Sequence, residues 1–432
     1  MPVRRSSPPA APVPATQKNV SSGEVAARPA IPARHGADLS KAKDGFSRTK
    51  ADGEFELLPP AAAATPGPTL TGPRRTAALA VSDAVALFRA GAPVASAFPG
   101  AEVVSNPAGV DVPEDQVSSP RAEAAMAQVK ANRDVEMAAL AKIPAARHPE
   151  YLAVRKALES AKDPVAVLSL QKLLLDGELP GERDYEGTGD VLAGLNGLLT
   201  QPLARGIDRD ALLTDAVQEL AWPPSVAQGD RNTCAPTVVQ IHLMLEHPAE
   251  HLRLLAGLAS PEGRVRLHGG EELVREPGSE TQEAFNRSVP QRLVSPAMME
   301  YADGAEQYDN DRDIHLDVTG AETWGGLSPG QVDHLLEGVH GGEFAFADMV
   351  YGTDSRDAAW ALLEEELQSG NSVIAGIRWR NGGHKVLVTG LESAGGQEWV
   401  RIINPWGQEE RLPREGFIEA MRNLNYRPSP AN

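Results

Sequence analysis

The chain has 432 residues and a formal net charge of −18, because 59 acidic side chains outnumber 41 basic ones. This acidic excess argues against a nucleic-acid partner, since surfaces that bind phosphate backbones are basic. No stretch of 18 apolar residues occurs in the sequence, so we predict no membrane span.

Residues 1–75 differ in composition from the rest of the chain. They hold twelve of the 35 prolines and neither tryptophan nor tyrosine, so they cannot bury enough apolar surface to offset the entropy lost on ordering. We therefore predict a disordered Pro/Ala-rich tail. Its 11 basic and 6 acidic residues give it a sign opposite to that of the remaining chain. A solvated linker is the simpler interpretation, and intramolecular regulation by the N-terminal region is the alternative.

Signals for a cellular compartment are sparse. Residues 1–17 contain no apolar segment of the kind found in a Sec-type signal peptide. The chain has one cysteine, Cys234, which excludes an intramolecular disulfide and any site built from several thiolates. We expect a cytoplasmic protein or one exported without a Sec-type signal, and we predict no cofactor.

Residues 76–205 are predicted to form a helical region, whose role the sequence leaves open. They are rich in Ala, Glu, Lys and Leu, with apolar residues spaced three and four apart. The predicted helices of this part, and the next one along the chain, are Ala77–Gly91, Ala122–Ala141, Tyr151–Ala161, Val165–Leu175 and Asp208–Leu220.

Residues 206–432 change from helices to strands. Helices are predicted from Cys234 or Ala235 to about His247, and then over Ala249–Leu258. Two more are predicted from a capping box at Ser328 and Gln331 to about Val339, and from Asp354 or Ser355 to Gln368. Asn381-Gly382-Gly383 indicates a hairpin between two of three predicted strands. The strands are Val373–Trp379, Lys385–Leu391 and Trp399–Ile403. Helices followed by an antiparallel sheet indicate an α+β fold.

Cys234 is the first candidate site residue. Pro236 is tolerated only in the first turn of a helix, which places Cys234 at the helix N-terminus. The unpaired N–H groups there stabilise an anion and are expected to lower the pKa of the thiol. An inert buried cysteine is the alternative, so Cys234 alone decides nothing.

Three other residues can complete a catalytic site around Cys234. His384 follows Gly382-Gly383 at the start of a strand and can take the thiol proton and return it to a leaving group. Asn404 comes after the next strand, where its side-chain oxygen can orient the imidazole, and Trp406 can shield their hydrogen bond. Gln228 can donate to a developing oxyanion.

Two further groups are interpreted as nonfunctional. His247 and His251 are four residues apart, but they lie outside an HExxH frame and Pro248 follows His247, so we do not predict metal ligands. Five aspartates imitate a calcium loop, but they lack its glycine and its final glutamate, so we predict a solvated acidic loop. They are Asp303, Asp309, Asp311, Asp313 and Asp317.

Gln228, Cys234, Gly383-His384 and Asn404-Pro405-Trp406-Gly407, in this order and spacing, resemble the papain-like cysteine peptidases. The Asn-Pro-Trp-Gly motif resembles the calpain branch, and the text around Cys234 is similar to peptidases that process bacteriocin leaders. The resemblance covers about 222–410. It implies a papain-like domain over 206–432, with a helical half that carries the nucleophile and a β-barrel-like half that carries His384 and Asn404. By the same resemblance Cys234 is the nucleophile, His384 the base and acid, Asn404 the orienting residue and Gln228 the oxyanion donor.

The predicted function is that of a thiol peptidase acting on proteins or peptides through a thioester. The same residues serve deamidases, transamidases and acyltransferases, which form the first alternative. A catalytically silent papain-like binding module is the second alternative.

Overall fold

The computed structural model describes residues 98, 100–105, 120–229, 231–281, 287–304, 308–310, 313, 326–350, 352, 354–379 and 382–428. The predicted tail and the predicted helix Ala77–Gly91 lie outside this set. The described residues are α+β, as predicted, with helices in the first half and an antiparallel sheet in the second. None of the described helices is both long and apolar enough to cross a membrane.

Among the described residues, six α-helices precede Cys234. Asp163, Asp190 and Asp208 accept hydrogen bonds from main-chain N–H groups in the first turns of the fourth, fifth and sixth helices, which explains where these helices begin. The six are α1 Pro120–Ala131, α2 Arg133–Leu140, α3 His148–Ser160, α4 Pro164–Leu175, α5 Val191–Thr200 and α6 Arg209–Ala221.

The predicted helix Ala122–Ala141 is two helices, with Asn132 between them. The Asn132 side chain accepts a hydrogen bond from Gln128 and donates one to Gln171 of α4. These side-chain bonds compete with the main-chain hydrogen bonds of a continuous helix, and they join the α1–α2 junction to α4.

After Cys234, the described part of the chain has six further α-helices, which lie before and among the strands. Ser328 and Gln331 form the predicted capping box at the start of α10, and Ser355, one of the two predicted starting residues, caps α11. The helices are α7 Cys234–Glu246, α8 Pro248–Ala259, α9 Val289–Asp303, α10 Pro329–His340, α11 Arg356–Gln368 and α12 Arg414–Ala420.

A seven-stranded antiparallel sheet carries the second half of the chain. Its strands are β1 Glu102–Ser105, β4 Ala345–Asp348, β5 Val373–Trp379, β6 Gly382–Ala394, β7 Gln397–Asn404, β8 Gln408–Pro413 and β9 Met421–Tyr426. The order is β1-β8-β7-β6-β5-β9-β4, and a separate hairpin joins β2 Arg264–Arg266 to β3 Glu272–Val274.

The expectation of a barrel-like half is not met, because the sheet is open. Within the described residues β1 pairs only with β8 and β4 only with β9, so these two strands form the edges. The predicted hairpin is present: β5 and β6 pair up to Trp379 and Gly382. Its turn residue Asn381 lies outside the described set.

The sheet separates two hydrophobic cores. Ile374, Leu387 and Ile403 belong to the core of the helices α3–α10, which contains residues from both sides of position 205. Val386 and Val388 face the other core, which α11 and α12 cover with Trp360, Leu363 and Phe417. Because side chains alternate along a strand, Lys385 points with Leu387 toward the helices and His384 points with Val386 to the opposite face.

Candidate active site

Cys234 is the first residue of α7, as the position of Pro236 predicted. Thr233 occupies the N-cap position, but its side chain accepts no capping hydrogen bond. Pro236 has no N–H group, so one of the usual partners of an N-cap side chain is missing. The N–H groups of Cys234 and Ala235 act on the Cys234 sulfur instead, where they favour its ionised form.

Asp313 fixes the segment that precedes Cys234. Its carboxylate accepts hydrogen bonds from the main-chain N–H of Asn232, at 3.1 and 3.2 Å, and from Nδ2 of Asn232, at 3.1 Å. The hydroxyl of Tyr308 donates to the same carboxylate at 2.8 Å. Asp313 is fully buried. The interpretation of the aspartates as a solvated loop is therefore wrong for Asp313, because these donors stabilise its carboxylate in the interior. Asp311 and Asp317 lie outside the described residues.

His384 and Asn404 form the predicted pair. Nε2 of His384 lies 2.9 Å from Oδ1 of Asn404, and Nδ2 of Asn404 donates to Oε1 of Glu410 at 2.7 Å. Since the Asn404 oxygen only accepts, Nε2 carries the imidazole proton and Nδ1 is left as the basic nitrogen. Asn404 and Glu410 are fully buried, so the ring has a fixed orientation.

Aromatic rings cover the imidazole. Trp406 stacks on His384 with ring centroids 4.4 Å apart, and Phe98 lies 6.2 Å from His384 and stacks on Trp406. The shielding role predicted for Trp406 fits this contact. Burial lowers the pKa of His384 to about 4, although the hydrogen bond to Asn404 raises it. The ring is therefore neutral at pH 7.

Cys234 and His384 line one pocket of about 200 Å³ at the end of the sheet where β6 begins. The hydrogen bonds of the described residues do not include one between the Cys234 sulfur and the His384 ring. Catalytic hydrogen bonds are often long before substrate binds. Other residues of the pocket wall include Leu327, Pro329, Asp348, Gly376, Lys385, Arg422 and Asn423.

The ionisation of Cys234 differs from the expectation. Burial raises the pKa of the thiol above its ordinary value, and this outweighs the opposing effect of the N–H groups at the helix start. The N–H groups act in the predicted direction, but the sequence could not show how deeply the sulfur is buried. The main-chain N–H and the ammonium of Lys385 also favour the thiolate.

Gln228 is close to the site along the chain but does not line the pocket. Its main-chain N–H donates to the carbonyl of Pro405 at 2.7 Å, and Ala227 forms a β-bridge with Trp406. Its Nε2 donates to the carbonyl of Arg231. Gln228 therefore joins the segment before Cys234 to the turn after Asn404. Because one Nε2 hydrogen is used in the bond to Arg231, the predicted oxyanion role requires the other Nε2 hydrogen.

Three residues that support the site were not found in the sequence. Lys385 lies next to Cys234, Glu410 holds Asn404, and Asp313 holds the segment before Cys234. A lysine in the apolar run His384-Lys385-Val386-Leu387-Val388 was a usable signal, since charged residues in a buried strand are rare. Glu410 and Asp313 lie in polar segments, where one more charged residue does not stand out from its neighbours.

Within the described residues, no three His, Cys, Asp or Glu side chains are grouped so that they could hold a metal ion. His247 packs against Tyr185, with ring centroids 4.6 Å apart.

The chain matches no protein-family model, and no curated protein sequence is significantly similar to it.

Proposed function

We propose that the protein is a cysteine hydrolase that cleaves amide bonds in proteins or peptides, with Cys234 as nucleophile and His384 as base and acid. One observation carries this proposal: the cysteine at the start of α7 lines the same pocket as His384, whose imidazole is hydrogen-bonded to the buried Asn404. This combination supplies a nucleophile, a general base and a residue that orients the base.

The reaction follows from the protonation states. Nδ1 of neutral His384 takes the Sγ proton as the sulfur attacks the substrate carbonyl. The N–H groups at the start of α7 stabilise the oxyanion, and Gln228, whose Nε2 already donates to the carbonyl of Arg231, contributes through its second N–H. Protonated His384 then gives its proton to the leaving amine, and a thioester with Cys234 remains. Water attacks the thioester with His384 again as base, which releases the acid and restores the thiol.

Intact-mass spectrometry tests the proposal. The full-length protein is incubated with a denatured, carboxymethylated protein, and the masses of both are followed over time. We expect fragments with the wild type and none with Cys234→Ala or His384→Ala. His148→Ala is the matched control, because that ring bonds the carbonyl of Ile143 outside the pocket. This control is expected to cleave like the wild type.

The same spectra separate the alternatives. Mass shifts of about one dalton without fragments would replace the peptidase with a deamidase, and incorporation of an added amine would indicate a transamidase. Fragments that persist in Cys234→Ala would remove Cys234 as the nucleophile.

A further inference from the structure

Lys385 is a buried lysine whose side chain crosses the neighbouring strand. In the sheet register Lys385 pairs with Gly376 of β5, and Gly376 pairs with Asn423 of β9. Because Gly376 has no side chain, the lysine passes over β5 to β9. Its Nζ donates to Oδ1 of Asn423 at 2.6 Å and to Oδ1 of Asn425 at 2.7 Å.

Both acceptors of this ammonium are neutral amides. Nδ2 of Asn425 in turn donates to Oδ1 of Asp333 on α10 at 2.8 Å, which fixes the amide with its oxygen toward Lys385. The described residues place no carboxylate in ion-pair contact with Nζ. Burying an ammonium whose hydrogen-bond acceptors are neutral is unfavourable, and burial lowers the pKa of Lys385 to about 8. At pH 7 the group is still mostly protonated.

The Cys234 sulfur lies on the same side of the sheet as this ammonium. The helix α7 packs in the core that Leu387 faces, and Lys385 points to that side. His384 leaves β6 on the other face, against Phe98 and Trp406, and its ring lines the same pocket at the end of the sheet. The main-chain N–H and the charged end of Lys385 both favour the thiolate, and Lys385 lines the pocket together with Cys234.

We propose that Lys385 is the positioning residue for the nucleophile and that its ammonium is the counter-charge of the Cys234 thiolate. The imidazole of His384 then acts as a proton carrier and not as the permanent cation of an ion pair. The inference relies on the proposed function only in taking Cys234 as the reacting group.

Three other charged residues lie near Lys385 or in the pocket wall. Asp348 on β4 and Asp333 on α10 act on Lys385 and favour its charged form, as the thiolate does. Arg422 on β9 also lines the pocket. No bond to Lys385 forms in the proposed reaction: the thiol proton goes to Nδ1 of His384, and Lys385 keeps its three protons.

The pH dependence of alkylation tests this assignment without a substrate. The rate of Cys234 modification by iodoacetamide is measured from pH 6 to 12 in the full-length protein. Lys385→Met is expected to move the midpoint upward by about one to three pH units, since that is the range for an opposite charge nearby. Lys385→Arg keeps the charge and is expected to restore most of the shift. Lys172→Met is the control: it removes a lysine of α4 that pairs with Asp176, and the midpoint should stay at the wild-type pH.

His384→Ala separates this proposal from the proposed function. We expect that variant to lose cleavage while its alkylation midpoint stays that of the wild type. A midpoint that moves in His384→Ala and not in Lys385→Met would assign the counter-charge to the imidazole and overturn the proposal. If the wild type cleaves no substrate, the proposed peptidase function is rejected, but the alkylation measurement still tests the role of Lys385.

A reciprocal measurement covers the case in which Lys385→Met does not fold. Coupling between two sites is mutual, so removing the thiolate must lower the pKa of Lys385. Carbamylation of Lys385 by cyanate, followed by peptide mass spectrometry, should show a lower midpoint in Cys234→Ser than in the wild type. Identical midpoints would overturn the proposal.

Discussion

Oδ1 of Asn404 accepts the Nε2 proton of His384 over 2.9 Å, and Glu410 holds the same amide from its other end. This chain of three buried side chains sets which nitrogen of the imidazole is basic. The ring can therefore present Nδ1 to the pocket without reorganisation.

Asn404→Ala is expected to lower the turnover of a cleavable protein substrate by about 10–100-fold, because the imidazole loses its fixed orientation. The Nε2 proton of His384, which is buried and bonded in the wild type, should disappear from the proton NMR spectrum through faster exchange. Asn371→Ala is the control, since Asn371 donates to Glu366 in the turn after α11. An unchanged Nε2 proton signal in Asn404→Ala would contradict the orienting role.

The sheet could be predicted only in part, and the site explains why. The strands β5, β6 and β7 are apolar enough to be found from the sequence. In β8, by contrast, the buried positions are Gln408, Glu410 and Leu412, and in β9 they include Asn425. Of these, Glu410 holds Asn404 and Asn425 holds Lys385 through inward-facing side chains. Hydrophobic periodicity therefore fails at strands whose inner faces serve the site.

The helices were easier to predict than the arrangement around the pocket. Local signals such as Asp163, Asp208 and the Ser328–Gln331 capping box act within a few residues, so the sequence shows them. The burial of Cys234 depends on where α7 meets β6, which lies about 150 residues further along the chain. No local pattern carries that information, and the sign of the thiol pKa shift was wrong for this reason.

The second prediction concerns the stacking of Trp406 on His384. Trp406→Ala admits water to the imidazole and removes much of the burial that holds the pKa of His384 near 4. We expect the pKa to rise toward the ordinary value of 6.5. Titration of the His384 ring by NMR measures it, with Trp399→Ala as the control, because Arg411 covers that tryptophan. A pKa that stays near 4 without Trp406 would mean that other residues bury the ring.

The third prediction tests the path of Lys385 across β5. A Cβ atom at Gly376 would lie 2.3 Å from Oδ1 of Asn423, so Gly376→Ala must displace that amide and the lysine bonded to it. We expect the free energy of unfolding to fall by about 1–3 kcal/mol, as for other overpacked sites. Urea denaturation measures the change. Gly390→Ala in β6 is the matched control, because a Cβ there meets nothing within 4 Å. Equal losses in the two variants would show that the close approach to Asn423 does not matter.

The last prediction concerns His251, which is fully buried in α8 with neither ring nitrogen hydrogen-bonded among the described residues. Burial lowers the pKa of His251 from 6.5 to about 3. Between these two pH values the unfolded chain takes up a proton that the folded protein excludes. The free energy of unfolding therefore falls as the pH falls, by about 1.4 kcal/mol per pH unit for this group.

His251→Leu removes this titration and fills the site with an apolar side chain. Its free energy of unfolding, measured by urea denaturation from pH 7 to 4, should depend on pH with a slope smaller by about one proton than that of the wild type. Gln240→Leu is the matched control, because Gln240 is also buried with its amide unpaired among the described residues but does not titrate. It should keep the wild-type slope. A wild-type slope in His251→Leu would mean that His251 is already protonated, or open to water, in the folded protein.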